Sequence, residues 1–304
     1  MRVLLTGGSG FVGSSFQRVL AERHGVDVLA PSHAEFDLLD ADAVLAATRS
    51  FRPDAIVHAA ILNDFGRLYR ERRLAWDAYV GATRHVADGA NAVGALTVLV
   101  STDWVFDGTR PGATEDEPPH PVNLYGFLKA ASELVVAERA ERGAVARVGG
   151  VQGVHWARPA TPRRQDAGFG YLVASIADSL RAGQPFTVWE SDAINCIATP
   201  TLATDAADMV HAICRLGLTG TFHCVGGEAV DRRRLAELAV DVFELDRELL
   251  RFGPPPADGV PDARVPYDTS LDATRTAAAL DADLPSAREI VDRLRVQLHT
   301  GELA

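Results

Sequence analysis

Short apolar runs alternate, through the first half of the chain, with longer segments in which apolar residues recur at helical spacing. The short runs cover residues 3–6, 26–30, 55–58, 96–101 and 144–148, and the helical segments cover residues 11–23, 41–50, 74–93 and 124–142. Runs that are apolar almost throughout are typical of strands covered on both faces. The alternation of strand and helix therefore predicts an α/β fold with a doubly wound parallel sheet.

The regular alternation stops near residue 150. Residues 149–170 are rich in glycine, proline and arginine and predict a loop, and five prolines predict another loop over residues 253–266. Further helices are predicted at 168–183, 204–216, 232–245 and 284–298, and further strands at 186–189 and 221–225. We expect residues 1–150 to form one domain and residues 151–304 to form mainly a smaller, mixed lobe, with some elements returning to the main sheet.

Composition argues against several classes of protein. The 304 residues carry a net charge of −11, which argues against a nucleic-acid partner because phosphate binding requires a basic face. No run reaches about 18 apolar residues and no signal-peptide pattern opens the sequence, so we expect no membrane span and a cytoplasmic location. Cys196, Cys214 and Cys224 fit no zinc or redox spacing, so we expect buried thiols and no metal site.

A glycine-rich turn separates the first predicted strand from the first predicted helix. Its sequence, Thr-Gly-Gly-Ser-Gly-Phe-Val-Gly at 6–13, satisfies both G-x-G-x-x-G and G-x-x-G-x-x-G. Glycines permit a tight turn and a close backbone approach to a pyrophosphate, and the helix N-terminus directs free N–H groups at it. The strand-turn-helix context therefore predicts a Rossmann-type dinucleotide-binding domain over residues 1–150. The residues expected at the cofactor are Gly7, Gly10, Phe11, Val12 and Gly13.

The end of the second predicted strand bears on which nicotinamide binds. The acidic ribose ligand of NAD sites is expected about 20 residues after the loop, yet this chain has Ser32 and His33 there, with Glu35 slightly later. Ser32 and His33 tolerate a 2′-phosphate, so the sequence weakly favours NADP(H) and leaves NAD(H) open. Asp37 and Leu38 are placed to hold the adenine, unless an aspartate in this segment caps the next helix instead.

Two further stretches carry groups suited to proton transfer. Thr102 follows the fourth predicted strand, and ligands of open α/β sheets bind at such strand ends. Tyr125 and Lys129 are four residues apart and share one face of the next helix. We expect Lys129 and an oxidised nicotinamide to lower the pKa of Tyr125 from its usual value of ~10, so that it exchanges a proton with the substrate oxygen during hydride transfer. Thr102 then orients the substrate carbonyl oxygen, and Lys129 also holds the nicotinamide ribose.

These motifs resemble the extended short-chain dehydrogenase/reductases. Within them, the most similar branch is the dTDP-4-dehydrorhamnose reductase group, which also includes the methionine adenosyltransferase regulatory subunit. The resemblance rests on the glycine turn, on Ser-Thr-Asp-Trp-Val-Phe-Asp-Gly at 101–108, on Leu-Tyr-Gly-Phe-Leu-Lys at 124–129, and on stretches at 115–118, 197–205 and 266–272. It implies a catalytic set of Thr102, Tyr125 and Lys129. It also implies that Ala59 and Ala60 line the cofactor, and we place Ser101 beside them.

The chain departs from this family on the substrate side. Tyr79 stands where the family usually has asparagine in the long helix after the third strand. Residues 61–67 do not match the loop of the rhamnose branch, and Gly149 and Gly150 replace an aromatic substrate contact. The identity of the sugar therefore stays open.

The leading hypothesis is an NAD(P)H-dependent reductase that acts on a keto group of a nucleotide-linked (deoxy)sugar, with Tyr125 as proton donor. Residues 151–304 would then mainly bind the substrate, and we expect substrate contacts from Asp103, Trp104, Val105 and Arg163. Arg163 suits a bidentate contact to a diphosphate, although a solvated arginine pair at 163–164 explains it equally well.

Two alternatives remain. The first is an epimerase or dehydratase of the same fold, although a dehydratase needs a pair of carboxylates where this chain has Asp103 followed by Trp104. The second is a non-catalytic, NADP-binding regulatory subunit. The resemblance also allows a homodimer.

Overall fold

The computed structural model describes residues 1–160 and 164–304. Within them the strands are β1 (Arg2–Thr6), β2 (Asp27–Leu29), β3 (Ala55–His58), β4 (Leu96–Thr102), β5 (Gly143–Val148), β6 (Val151–Gln152), β7 (Phe186–Trp189), β8 (Ile197–Ala198), β9 (Thr201–Leu202), β10 (Gly220–His223), β11 (Val230–Asp231), β12 (Leu250–Gly253) and β13 (Asp268–Thr269). The helices are α1 (Phe11–Arg18), α2 (Ala41–Phe51), α3 (Phe65–Arg70), α4 (Arg72–Trp76), α5 (Ala82–Asn91), α6 (Leu124–Arg139), α7 (Leu172–Arg181), α8 (Ala203–Leu216), α9 (Arg232–Phe243), α10 (Thr274–Leu280) and α11 (Ala287–Thr300).

Six parallel strands form the main sheet, in the order β10-β5-β4-β3-β1-β2. The register pairs Thr6 with His58 and Thr102 with Val148, so the carboxyl ends of neighbouring strands meet at one edge. Helices cover both faces of the sheet. The predicted doubly wound α/β fold of the Rossmann type is confirmed, and open sheets of this kind bind their ligands at the carboxyl edge.

The main sheet is buried on both faces because successive side chains of a strand point to opposite sides. On one face Leu5 and Val57 pack with Phe16 of α1 and with the apolar side of α8. On the other face Leu4 packs with Val86 of α5 and with α2. A fully buried aliphatic side chain stabilises the fold by about 1.5–3 kcal/mol. These strands therefore need apolar residues at consecutive positions, which is the pattern that predicted them.

The second half of the chain contributes to both parts of the structure. Strand β10 pairs with β5, and α8 packs against α1 in the core of the main sheet. Helices α7, α9 and α11 share a separate apolar core next to the three small sheets, which are β11-β8-β13, β7-β12 and β6-β9. Within the described ranges, no helix is both long enough and apolar enough to cross a membrane.

Some predicted elements differ from the observed ones. The helix predicted over residues 74–93 is divided by a π-helical turn at Asp77–Gly81, between α4 and α5. Such turns are frequent at functional sites, and this one carries Tyr79. Helix α3 was not predicted. It begins after Asp64, whose carboxylate accepts a hydrogen bond from the backbone N–H of Arg67 at 2.8 Å. Helix α1 also continues as a π-helical turn, Val19–Arg23.

Candidate active site

A cleft of about 1010 Å³ opens at the carboxyl ends of β1, β3, β4 and β5. The predicted site residues that line it are Gly7, Gly10, Phe11, Val12, Gly13, His33, Asp37, Leu38, Ala59, Ala60, Ser101, Thr102, Asp103, Trp104, Tyr125 and Lys129. The opposite wall comes from the second half of the chain, with Phe169, Tyr171, Trp189 and Asn195 among its residues. These four were not predicted, because no local pattern marks a residue that reaches a cleft through long-range packing.

Two glycines of the turn, Gly7 and Gly13, have no room for a side chain. A Cβ on Gly13 would lie 2.0 Å from the carbonyl oxygen of Gly7, so α1 can approach β1 only if position 13 is glycine. Gly7 has φ +77°, and a Cβ there would lie 2.7 Å from the backbone of Ala59. Gly10 precedes α1 and has no side chain to cap it. The first residues of α1 line the cleft, so the N-terminus of this helix lies where a phosphate group would be favoured.

The segment that follows β2 carries the Glu35 carboxylate. The backbone N–H and the hydroxyl of Ser32 donate to the Glu35 carboxylate at 2.9 and 2.7 Å, and these bonds lower the pKa of Glu35. Neither Ser32 nor Glu35 lines the cleft, and the predicted contact of Ser32 with the cofactor stays a prediction. His33 and Asp37 do line it. Asp40, not Asp37, caps α2 by accepting hydrogen bonds from two N–H groups of its first turn.

Helix α6 brings Tyr125 to Thr102. The helix begins after Asn123, whose side-chain oxygen accepts a hydrogen bond from the N–H of Gly126 at 2.9 Å. A Cβ on Gly126 would lie 2.1 Å from the carbonyl oxygen of Trp104. Glycine at 126 therefore allows the first turn of α6 to pack directly on the segment that follows β4. Tyr125 and Thr102 therefore line the same part of the cleft, and the Thr102 hydroxyl is near enough to lower the pKa of Tyr125.

Burial dominates the ionisation of the central residues. It raises the pKa of Tyr125 to about 12, although the hydrogen bond with Thr102 lowers it. Burial also lowers the pKa of Lys129 to about 8, and the Lys129 ammonium donates to the carbonyl oxygen of Val100 at 2.8 Å. Lys129 is not among the groups that shift the pKa of Tyr125 here, and the lowering expected from Lys129 together with an oxidised nicotinamide stays a prediction. With a pKa of about 12, Tyr125 is protonated at neutral pH.

Asp103 lies beside Thr102 and is almost completely buried. Its Oδ1 accepts a hydrogen bond from the Thr102 hydroxyl at 3.0 Å, and its Oδ2 accepts one from the Thr269 hydroxyl at 2.5 Å. Burial raises the pKa of Asp103 to about 6, and both hydrogen bonds lower it. A Cβ on Gly149 would lie 3.1 Å from Oδ2, so the glycine that replaces the family's aromatic residue leaves room for this carboxylate. Asp103 thus links Thr102 to the second half of the chain.

A buried ion pair lies behind the cleft. The Arg147 guanidinium donates to both oxygens of Glu133 at 3.0 and 2.8 Å, and the Ser101 hydroxyl donates to the same carboxylate. The His223 ring donates from Nδ1 to the carbonyl oxygen of Asp272 and accepts from Arg147. The Ser101 hydroxyl is therefore engaged inside the protein, and the network joins α6, β4, β5 and β10.

One predicted substrate contact does not line the cleft. Val105 is fully buried and packs with Phe106 and Leu271, so we assign it to the core and not to the substrate. Arg163 lies outside the described residues.

Comparison with known proteins identifies the family of this chain. The family model described as "RmlD substrate binding domain" matches residues 1–299. The chain belongs to the RmlD substrate-binding domain family. The resemblance drawn from the sequence motifs is thereby confirmed.

RmlD family relatives carry two kinds of name. Methionine adenosyltransferase 2 subunit beta of Rattus norvegicus is 27% identical over 285 residues, which cover 90% of this chain and 81% of that protein. The dTDP-4-dehydrorhamnose reductase of Aggregatibacter actinomycetemcomitans is 30% identical over 147 residues, which cover 48% of this chain and 50% of that protein. Among solved structures, dTDP-4-dehydrorhamnose reductase of Bacillus anthracis in complex with NADP has a TM-score of 0.82 at 24% identity, and the match covers 97% of this chain and 99% of that one. This last likeness shows the fold.

This RmlD family member has an aromatic wall, composed of Phe65, Tyr79 and Trp104, around Tyr125. The three ring centroids lie 5.5, 6.2 and 6.0 Å from that of Tyr125. Tyr79, at the position where the family usually has asparagine, is buried and donates to the carbonyl oxygen of Leu62 at 3.3 Å. Phe65 was not predicted, because it comes from α3 in the segment where the chain departs from the family. The wall gives the cleft an apolar surface next to the Tyr125 hydroxyl.

Proposed function

We propose that this protein is an NAD(P)H-dependent reductase of a keto group on a nucleotide-linked (deoxy)sugar. One observation carries the proposal. The glycine-rich turn lines the same cleft as the side chains of Thr102, Tyr125 and Lys129. A Tyr-x-x-x-Lys spacing alone is common on helix surfaces. Here the Tyr125 and Lys129 side chains are largely buried, and both line the same cleft as the glycine turn.

The residues at the first strand fit a dinucleotide. A phosphate group at the start of α1 would accept hydrogen bonds from backbone N–H groups, and a Cβ at Gly7 or Gly13 would collide with backbone. Asp37 and Leu38 would hold the adenine, and Lys129 would hold the nicotinamide ribose. The Glu35 carboxylate, in the segment after β2, would repel a 2′-phosphate, whereas the His33 ring could donate a hydrogen bond to one. We therefore include both NADPH and NADH as candidate cofactors.

The chemistry requires a hydride and a proton. A bound reduced nicotinamide supplies the hydride to the keto carbon. Tyr125 donates its phenolic proton to the keto oxygen as the C=O bond becomes C–O–H. Because burial raises the pKa of Tyr125 to about 12, the residue is in the protonated form that reduction needs at neutral pH. The rings of the aromatic wall lie beside the Tyr125 ring and make its surroundings less polar, which strengthens hydrogen bonds there.

The proposal is tested by incubating the protein with a panel of nucleotide-linked keto-sugars and either NADPH or NADH. Turnover is measured as the loss of absorbance of the reduced cofactor. We expect turnover with at least one keto-sugar. The variant Tyr125→Phe should lose turnover while it binds the cofactor with nearly unchanged affinity. The variant Tyr267→Phe, which changes an exposed tyrosine outside the cleft, serves as control. Full activity in Tyr125→Phe would reject the proton-donor role.

A second candidate function is that of a non-catalytic subunit. It is supported by the relatives named methionine adenosyltransferase 2 subunit beta, which match 90% of this chain. Under this hypothesis the cofactor binds, no keto-sugar in the panel is reduced, and the protein alters the kinetics of a methionine adenosyltransferase from the same organism. Turnover that depends on Tyr125 would decide against it.

A further inference from the structure

The Thr102 hydroxyl has a single proton, for which the Tyr125 phenol and the Asp103 carboxylate compete. In the structure the proton is donated to Oδ1 of Asp103 at 3.0 Å, while the N–H of Trp104 donates to the Thr102 oxygen at 3.3 Å. An ionised carboxylate can only accept hydrogen bonds. As long as Asp103 is ionised, Thr102 therefore offers only lone pairs to a substrate in the cleft. Such a hydroxyl suits an alcohol, which can donate to it, and repels the oxygen of a ketone.

The other oxygen of Asp103 is fixed from the second half of the chain. The side-chain amide of Asn195 donates to the Thr269 oxygen at 3.2 Å, and Thr269 donates its own proton to Oδ2 of Asp103. The Asn195 amide also donates to backbone carbonyl oxygens, which fixes its orientation. The other acceptors near the Thr269 hydroxyl, Oδ1 of Asn195 and the carbonyl oxygen of Ile197, are farther away, at 3.4 and 3.5 Å. Oδ2 is thus held as an acceptor, which favours Oδ1, facing Thr102, as the oxygen that carries a proton on Asp103.

We propose that Asp103 is a positioning residue that determines whether Thr102 donates to the substrate oxygen. In its acid form, Asp103 donates from Oδ1 to Thr102, and the Thr102 proton turns toward the keto oxygen. In its ionised form, Asp103 draws that proton back. This inference rests on the proposed function, because it concerns the reduction of a ketone in the same cleft.

The reduction step balances without a further reactant. The keto carbon gains the hydride, with its two electrons, that a bound reduced nicotinamide would supply by breaking a C–H bond and becoming oxidised. The π electrons of the C=O bond move to oxygen, and the O–H bond of Tyr125 breaks as the O–H bond of the product forms. Tyr125 is left as a phenolate that regains its proton from solvent before the next turnover. Thr102 and Asp103 keep their own protons and act only as hydrogen-bond donors. Their effect is to stabilise the negative charge that develops on the oxygen in the transition state.

The rate of reduction should therefore depend on the ionisation of Asp103, whose pKa burial raises to about 6. As the pH rises above this value, the acid form becomes rarer and reduction slows. The ionisable groups on the elements around Asp103 are Tyr125 and Lys129 of α6, Arg147 of β5, Asp166 in the cleft wall, and Cys196, Tyr267 and Asp268 near Asn195 and Thr269. Among these, Tyr125 is the group whose pKa responds to the Asp103 charge.

The experiment is the pH profile of hydride transfer, measured in single turnovers with the keto-sugar that the panel identifies, from pH 5 to 8. In the unmodified protein the rate should fall by about tenfold per pH unit above the pKa of Asp103. In Asp103→Asn, Thr269 holds the amide oxygen, so the amide nitrogen faces Thr102 and donates permanently. The profile of this variant should be level over the same range.

A second variant should shift the pH profile of the rate although the changed residue, Thr269, does not line the cleft. Thr269→Val removes a hydrogen bond that lowers the pKa of Asp103, so the fall in rate should shift to higher pH by roughly 0.5–1 unit. Asp107→Asn is the matched control, because Asp107 also accepts a hydrogen bond from a threonine hydroxyl, that of Thr109 at 2.7 Å, but lies outside the cleft. Its profile should match that of the unmodified protein.

The outcomes separate the two proposals. The role of Asp103 is overturned if the unmodified protein and Asp103→Asn reduce the keto-sugar with the same pH profile. It is also overturned if the fall in rate shifts to lower pH in Thr269→Val. Either result leaves the proposed function standing. If the unmodified protein reduces no keto-sugar at any pH, both proposals fall.

Discussion

Three glycine-to-alanine replacements separate the structural role of the glycine turn from its role in binding a cofactor. Gly13→Ala places a methyl group 2.0 Å from the carbonyl oxygen of Gly7 and 3.1 Å from Cα of Gly8. A normal contact requires about 1 Å more, so α1 must move away from β1. Overpacking of this kind costs about 1–3 kcal/mol, partly offset by the better helix propensity of alanine. We expect Tm to fall by roughly 2–10 °C and cofactor binding to be lost with the turn.

Gly10→Ala should separate the two roles. The new methyl group would meet only the oxygen of Gly7, at 3.2 Å, and Gly10 has φ −81°, which alanine adopts readily. The fold should therefore lose less than about 1 kcal/mol. Because Gly10 lines the cleft at the start of α1, the methyl group intrudes where a pyrophosphate would approach, and Kd for NADPH should rise at least tenfold, which is about 1.4 kcal/mol.

Gly81→Ala is the control for both measurements. Gly81 has helical backbone angles, and a Cβ there would have no neighbour closer than 3.8 Å, from Asp77. Its stability should stay the same or rise by up to about 1 kcal/mol, with cofactor affinity unchanged. Thermal unfolding and fluorescence titration with NADPH report the two quantities. Unchanged affinity in Gly10→Ala, or a Gly13→Ala protein as stable as the unmodified one, would refute the role assigned to the turn.

Two further predictions concern charges. Glu133→Gln leaves Arg147 buried without a counter-charge, so urea denaturation should show that the free energy of unfolding falls by about 3–5 kcal/mol. The control Asp88→Asn breaks an exposed ion pair and should lower it by less than about 1 kcal/mol. Equal losses in the two variants would contradict the structural role of the buried pair. Glu35→Gln removes the negative charge that Ser32 holds in the segment after β2, so the preference for NADPH over NADH, measured as a ratio of kcat/KM, should rise by roughly five- to tenfold. An unchanged ratio would place Glu35 away from the ribose.

Patterns between neighbouring residues were enough to predict the fold. The five strands of the first half were predicted within two residues of their observed ends, because a strand covered on both faces must be apolar at consecutive positions. The glycine turn was predicted from the residues between a strand and a helix. Tyr125 and Lys129 were paired by the period of the helix. Each of these inferences depends on contacts within a few positions of the sequence.

The tertiary structure alone decided how the site residues are connected and charged. Thr269, which holds Asp103, is 166 residues away from it in sequence, and Phe65 comes from a helix that the sequence did not predict. The direction of the pKa shift of Tyr125 was also beyond the sequence, since burial outweighs its hydrogen bond with Thr102. Spacing along a helix determines which side chains are neighbours. Hydrogen-bond direction and desolvation depend instead on what distant segments bring to the same place.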